Sequence, residues 1–350
     1  MSLTVALAVL GGLVLAALVA HGAWQARKAG PKRAAEAAPP VVAPAAHEGG
    51  IEPSFDAPVS GSELPAPSDA PRAARRASAR LDALVDAMVT LAVEVQVSGD
   101  MASLHLPPSR RAGGKPFMIE GLNVESGDWE LPAVGQRYRE FQAGVLMANR
   151  TGALNEIEYS EFVQKVQAFA DAVGAALDVP DMLDIVARAR ELDTFASEHD
   201  AQLAVHLRAR AAAWSVGYIQ QHAARHGFVP GMVPGRLVLP GTDEGAPPVL
   251  TLAFDAQAAL ADDPNQAAVR DVTLAFDVPQ TDAKAEPFAA WQASAQALAL
   301  GMDAEIVDDN GQPLSAAGFA AIGAELGQLY AALDARDLGA GSAAARRLFS

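Results

Sequence analysis

The chain has 350 residues, a formal net charge of −16 and no cysteine. That length leaves room for two folded domains beside any tails. The charge argues against nonspecific nucleic-acid binding, which needs a cationic surface, and the lack of thiols excludes disulfides, thiolate catalysis and cysteine-based metal sites.

From the front, Leu3–Ala20 carries no charge, and the uncharged run continues to Ala26. About 20 apolar residues cross the hydrocarbon core of a bilayer as a helix, so residues 1–24 are expected to be an uncleaved transmembrane anchor. A cleaved signal peptide is the alternative. It needs a positive n-region and a small-x-small site with a clean break, both missing here, and the run is long for an h-region. Trp24 sits where indoles prefer the interface, and Arg27, Lys28, Lys32 and Arg33 follow at once. The positive-inside rule then puts the N-terminus in the periplasm and the bulk of the chain in the cytoplasm.

Residues 25–80 shift to Ala, Pro, Ser and Gly, with prolines recurring from Pro31 to Pro71. Too few large apolar residues remain for a core, and the stretch is expected to be a disordered, extended tether. Arg72, Arg75, Arg76 and Arg80 close it as a small basic cluster, read as a solvated charge run.

A first α/β segment is expected over 81–200. Val89, Leu91, Val93, Val95 and Val97 alternate with polar or small residues, the period of a half-buried strand. Strands are expected at Phe117–Gly121 and Glu140–Asn149, with no helix directly after the first strand. A helix at Tyr159–Gly174 carries Phe162, Val166, Phe169 and Val173 on one side. Ala175–Val179 reads as a short apolar link, and another helix follows from Asp181.

The second segment, 201–335, is more complete. Leu203, Val205, Leu207 and Ala209 form a strand face. A helix near Ala212–His226, a short strand at Arg236–Leu239 and a strand at Val249–Phe254 come next. In Asp271–Val278, Val272, Leu274, Phe276 and Val278 alternate with Thr273, Ala275 and Asp277, and Pro279 ends the ladder. Pro287 opens a helix striped by Phe288, Trp291, Ala295, Leu298 and Met302. Ile306–Val307, a turn rich in Asp, Asn and Gly, and a helix capped by Ser315 complete it. Residues 336–350 are expected to be a tail.

Phe162–Gly174 parallels Phe288–Gly301, and both lead through a short apolar segment and an acidic turn to a closing helix. The pattern reads as a degenerate internal duplication. The fold class is therefore α+β: an antiparallel split β-α-β sheet with helices on one face, in two copies.

Three stretches resemble the ZipA family of bacterial division proteins. Ala16–Lys28 (A-A-L-V-A-H-G-A-W-Q-A-R-K) is similar to the family's juxtamembrane segment, Thr273–Pro279 to its last long strand, and Pro287–Phe288 with Ile306–Ser315 to its closing helix and turn. The resemblance implies an inner-membrane anchor that binds the C-terminal tail of the tubulin-like GTPase FtsZ. That tail lies largely helical across the helix-free face of the sheet. Carried onto this chain, the docking residues are Ala204, His206 and Arg208 of the first strand, Thr251, Ala253 and Asp255 of the third, and Thr273 and Ala275 of the last. These positions are small or polar where the family's groove is commonly lined by larger apolar groups. The implied adaptor needs no cofactor, metal, nucleic acid or small-molecule substrate.

Two other classes stay open: an inner-membrane scaffold without FtsZ binding, and a tethered enzyme. His222 and His226 have the i, i+4 spacing of zinc ligands, but no third ligand or base is recognisable. Asp308–Gly311 resembles part of a calcium loop without its alternating oxygens or terminal Glu. There is no phosphate-binding glycine motif and no nucleophile elbow.

Overall fold

The computed structural model describes residues 80–241, 246–261, 263 and 265–350. The expected anchor, and the tether up to residue 79, lie outside the described residues. The described residues form a mixed α+β protein with two six-stranded antiparallel sheets and a two-stranded hairpin.

The first sheet is built around β1 (Asp86–Ser98), whose alternation buries Ala87, Val89 and Leu91. Ser98 ends the strand and caps α1 (Gly99–His105), its hydroxyl accepting from the Met101 N–H. A helix thus follows the first strand, where the sequence suggests none; seven residues are too few to display a helical stripe. Gly99 is required there, because a Cβ would stand 1.8 Å from the Ala133 carbonyl oxygen.

The chain continues through β2 (Arg111–Ala112), β3 (Lys115–Asn123), β4 (Trp129–Glu130), β5 (Arg137–Leu146) and the small hairpin β6 (Ala148–Asn149) and β7 (Gly152–Ala153). Next come α2 (Glu156–Val173), β8 (Ala175–Asp178) and α3 (Met182–His199). The strand order is β2-β3-β5-β1-β8. Leu91 in the middle of β1 faces Phe141 of β5 on one side and Leu177 of β8 on the other, both antiparallel. Strands β5 and β8 therefore run parallel with β1 between them, and α2 makes the crossover. Asn155 and Glu158 form a reciprocal capping box at its start. Its buried face packs edge-on into the sheet, Phe162 on Phe117 and Phe169 on Phe141. The stretch expected as a link after α2 is strand β8; four residues pair with β1 but are too short to show a period.

The second sheet follows the same order of connections. It comprises β9 (Gln202–Ala209), α4 (Val216–Ala224), β10 (Val229–Pro230), β11 (Arg236–Leu239), β12 (Leu250–Ala253), α5 (Ala256–Ala259), β13 (Asp271–Asp277), α6 (Pro287–Met302), β14 (Ala304–Val307) and α7 (Ala316–Asp334). The strands lie in the order β10-β11-β12-β13-β9-β14. Leu207 of β9 sits between Val272 of β13 and Ile306 of β14, as Leu91 sits between its neighbours. Matching backbone bonds close the two units: Met147 N–H to Val85 C=O at 2.8 Å, and Val278 N–H to Ala201 C=O at 3.0 Å. The crossover helices end alike, with Gly174 (φ 68°) and Asp303 (φ 56°) in the left-handed region. The helix register thus pairs Gly174 with Asp303 rather than with Gly301. A short polar side chain tolerates this conformation, so glycine need not mark the position. Trp291 anchors α6: its indole N–H donates to the Leu274 carbonyl at 2.9 Å, and its ring meets Phe276 and Phe319.

Residues 336–350 are not a tail. Ser342 caps α8 (Ala343–Leu348), and Leu338, Ala345, Leu348 and Phe349 are buried in the core of the first unit. Apolar residues at helical spacing seat this short element against strand β6. Gln280 of the second unit donates to the Phe349 carbonyl at 2.7 Å, and Arg150 of the first pairs with both Asp200 and Asp277. Helix α7 spans the two cores, with Phe319 and Leu326 in one and Leu333 in the other. It is the one helix among the described residues long and apolar enough to cross a membrane by length and composition, and its exposed side is largely alanine and glycine.

Candidate docking face

Strand periodicity divides the second sheet into two unlike faces. Val205, Leu207, Leu252, Val272, Leu274 and Phe276 point into the core beneath α6 and α7. The opposite residues are half-exposed, and an open groove of about 260 Å³ above them is lined by strand residues alone.

Pairing register brings the expected docking residues together. Thr273 stands between His206 and Ala253, Ala275 between Ala204 and Thr251, and Asp271 faces Arg208. Asp255 departs from this set. Strand β12 stops at Ala253, the Phe254 N–H bonds the Gly235 carbonyl, and Asp255 caps α5 by accepting from Gln257 N–H at 2.9 Å. An aspartate at a strand end finds backbone donors nearer than the groove.

The sequence reading missed Arg236, Gln202 and Asp277, which complete the groove wall. Arg236 lies directly opposite Ala253, so its side chain rises on the same face. Periodicity in a four-residue strand gives no phase, and only the pairing supplies it. The floor is therefore small and weakly polar, and the rim carries a cation on one side and a carboxylate on the other.

At one end of the face His206 bridges two elements. Its Nδ1 lies 3.0 Å from Asp271 Oδ1 and its Nε2 3.1 Å from Asp309 Oδ1. Both nitrogens donate only in the imidazolium form. Burial opposes that charge, but the hydrogen bonds and attraction from Asp271 and Asp309 outweigh it, and the pKa is raised above its ordinary value. Asp309 was not among the expected residues. It arrives on the turn after β14, which β9 carries alongside His206. Asp308 in the same turn accepts from the Asn310 and Gln312 N–H groups, folding the turn on itself.

The other histidine pair is dispersed: the His222 ring packs on Tyr218 at 4.3 Å, and His226 is exposed. Among the described residues no group of three His, Asp or Glu side chains is placed to hold a metal.

The face of the first sheet away from its helices has the same layout with different residues. Gly144 stands between Met88 and Met118, and Gln142 between Thr90 and Glu120. It is partly covered by the residues leading into β1, and Leu81 is only 6% exposed.

No protein-family model matches the chain, and no curated protein matches it. Among solved structures, berberine bridge enzyme from Eschscholzia californica aligns with 66% of this chain at 10% identity and a TM-score of 0.16. The alignment spans 43% of that enzyme, and a superposition so poor says nothing of fold or activity.

Proposed function

We propose that the chain is a ZipA-like adaptor that holds FtsZ at the inner membrane by binding its C-terminal tail across the open face of the second sheet. The observation that carries this reading is the contrast between the sheet's two faces. One is sealed under α6 and α7, and the other is a groove with a floor of Thr251, Ala253, Thr273 and Ala275. A small-residue floor lets the large side chains of a ligand helix approach the backbone closely. Burying each such chain is worth about 1.5–3 kcal/mol at most, from which the cost of ordering the tail must be subtracted. Single contacts of this kind are weak. A filament presenting many tails to many tethered domains gains through effective concentration.

The similarity in strand order, in closing backbone bonds and in crossover-helix ends supports reading the two units as degenerate copies of one split β-α-β fold. In this reading residues 1–24 anchor the chain with the N-terminus in the periplasm, and 25–80 give the reach. Neither role asks for a cofactor, metal or catalytic residue.

The test is co-sedimentation of FtsZ filaments with the full chain in lipid nanodiscs, using FtsZ with and without its C-terminal tail. Binding that disappears with the tail is expected. Equal binding to both forms, or none to either, rejects the adaptor reading.

A further inference from the structure

The two helix-free faces correspond position by position, yet the first is partly covered: Gly144 and Glu120 are buried, while Met88, Met118 and Gln142 stay half-buried. Met88, Gly144 and Met118 lie across the first sheet where Ala204, Ala275 and Thr251 lie across the second, and Thr90, Gln142 and Glu120 match His206, Thr273 and Ala253. Over the first set sits Leu81. It is buried, but it belongs to neither hydrophobic core. Its Cδ2 lies 2.6 Å from where a Gly144 Cβ would stand, with the Met88 sulfur 3.1 Å from the same point. The Arg80 N–H donates to Glu120 Oε1 at 2.8 Å, Gln142 donates to the other oxygen at 2.9 Å, and Glu120 is left 1% exposed. Arg347 holds the lead-in from behind, donating to the Arg80 carbonyl at 2.9 Å while pairing with Asp86.

We propose that Arg80–Asp82 is a built-in occupant of a second docking face. Leu81 takes the place over Gly144 that an apolar side chain of the partner's tail takes over Ala275. The identity of the partner rests on the adaptor reading above; the covering of the face does not. With Leu81 seated the chain offers one open face. With Leu81 displaced it offers two, and the second, floored by Met88 and Met118, accepts the same apolar, helical class of peptide. Glycine at 144 fits this arrangement, because alanine there crowds the leucine tip.

The experiment uses the full chain in nanodiscs and its Leu81→Ser variant, with two readouts. The first is oxidation of Met88 by dilute peroxide, followed by mass spectrometry, with the fully buried Met302 as an internal control of folding. Exposure governs this reaction, so Met88 is expected to oxidise about tenfold faster in the variant with Met302 unchanged. The second is the stoichiometry of a fluorescent FtsZ-tail peptide: one per wild-type chain, two per variant chain. If Met302 also reacts faster, the variant has loosened, and Leu81→Ala replaces it in both measurements. An unchanged Met88 rate overturns the proposal. So does a faster Met88 rate with the stoichiometry still at one, since the uncovered face then docks nothing. If neither protein binds peptide while Met88 is uncovered, the adaptor reading falls and the covering of the face by Leu81 stands.

Discussion

The guanidinium of Arg347 forks onto the carboxylate of Asp86 with both N–O distances at 2.5 Å, joining the last helix of the chain to the first residue of the first strand. The Asp86 side chain has no solvent exposure, and Arg347 retains 21%. Removing the cation leaves a buried carboxylate with its desolvation uncompensated. Arg347→Met is therefore expected to destabilise the chain by about 3 kcal/mol, the lower end for a broken buried pair because Arg347 is partly wet. Urea unfolding measures it. Burial raises the Asp86 pKa above 3.8 against the opposing pull of Arg347. The folded state thus holds this proton more tightly than the unfolded chain, and stability falls as pH rises from 3.8 through the raised value. Without Arg347 that fall extends to higher pH.

His206 follows the same pH direction, but through its charged form rather than its neutral one. Its pKa is raised from 6.5, so the stabilisation from its two aspartates is fully present below 6.5 and is lost as pH rises through the folded value. Asp309→Asn removes one partner and is expected to lower that value. Imidazole resonances followed by NMR titration test this directly: equal midpoints in the two proteins would show that Asp309 does not hold the charge.

Lys115 is buried at 1% exposure and has only neutral acceptors: Asn149 Oδ1 at 2.6 Å, Thr151 Oγ1 at 3.3 Å and the Gly152 carbonyl. It shapes the β6–β7 turn that presents Arg150 to Asp200 and Asp277. Lys115→Met takes the ammonium donor from the Gly152 carbonyl, while Asn149 Oδ1 keeps the Thr151 N–H and hydroxyl, at a cost of about 2 kcal/mol. Burial lowers the lysine pKa from 10.5. In the interval below 10.5 the unfolded chain binds the proton that the folded chain rejects, so wild-type stability rises with pH there. The methionine variant is expected to lack that rise in chemical denaturation series.

On the open face, Ala275→Lys places a long cation across the groove without touching the core. It is expected to weaken partner binding by about tenfold, the equivalent of one lost apolar contact. Its melting temperature should stay close to wild type, as for other surface substitutions. Fluorescence anisotropy with the tail peptide, paired with a thermal melt, separates the two effects.

Long alternating strands were legible in the sequence, and so were helices with a wide apolar stripe. Val272–Phe276 and Leu203–Ala209 announced both their strands and which side of each is buried. Short elements were not: β8 and α1 are shorter than the window in which a period can be recognised. A shared sheet face was legible where two paired strands had the same phase, as with His206 and Thr273. It failed at Asp255, where a local backbone donor outcompeted the strand. Arg236 and Asp309 needed the register of neighbouring strands, and Arg347 a contact across most of the chain, neither of which local pattern carries.

The burial of Leu338, Leu348 and Phe349 beneath the first sheet sets an order for biogenesis. Domains ordinarily fold as they leave the ribosome, N-terminal first. Here the earlier unit lacks part of its interior until residues 338–349 have been made and have cleared the exit tunnel. The later unit closes around its own residues, so the half made second is the one equipped to fold first.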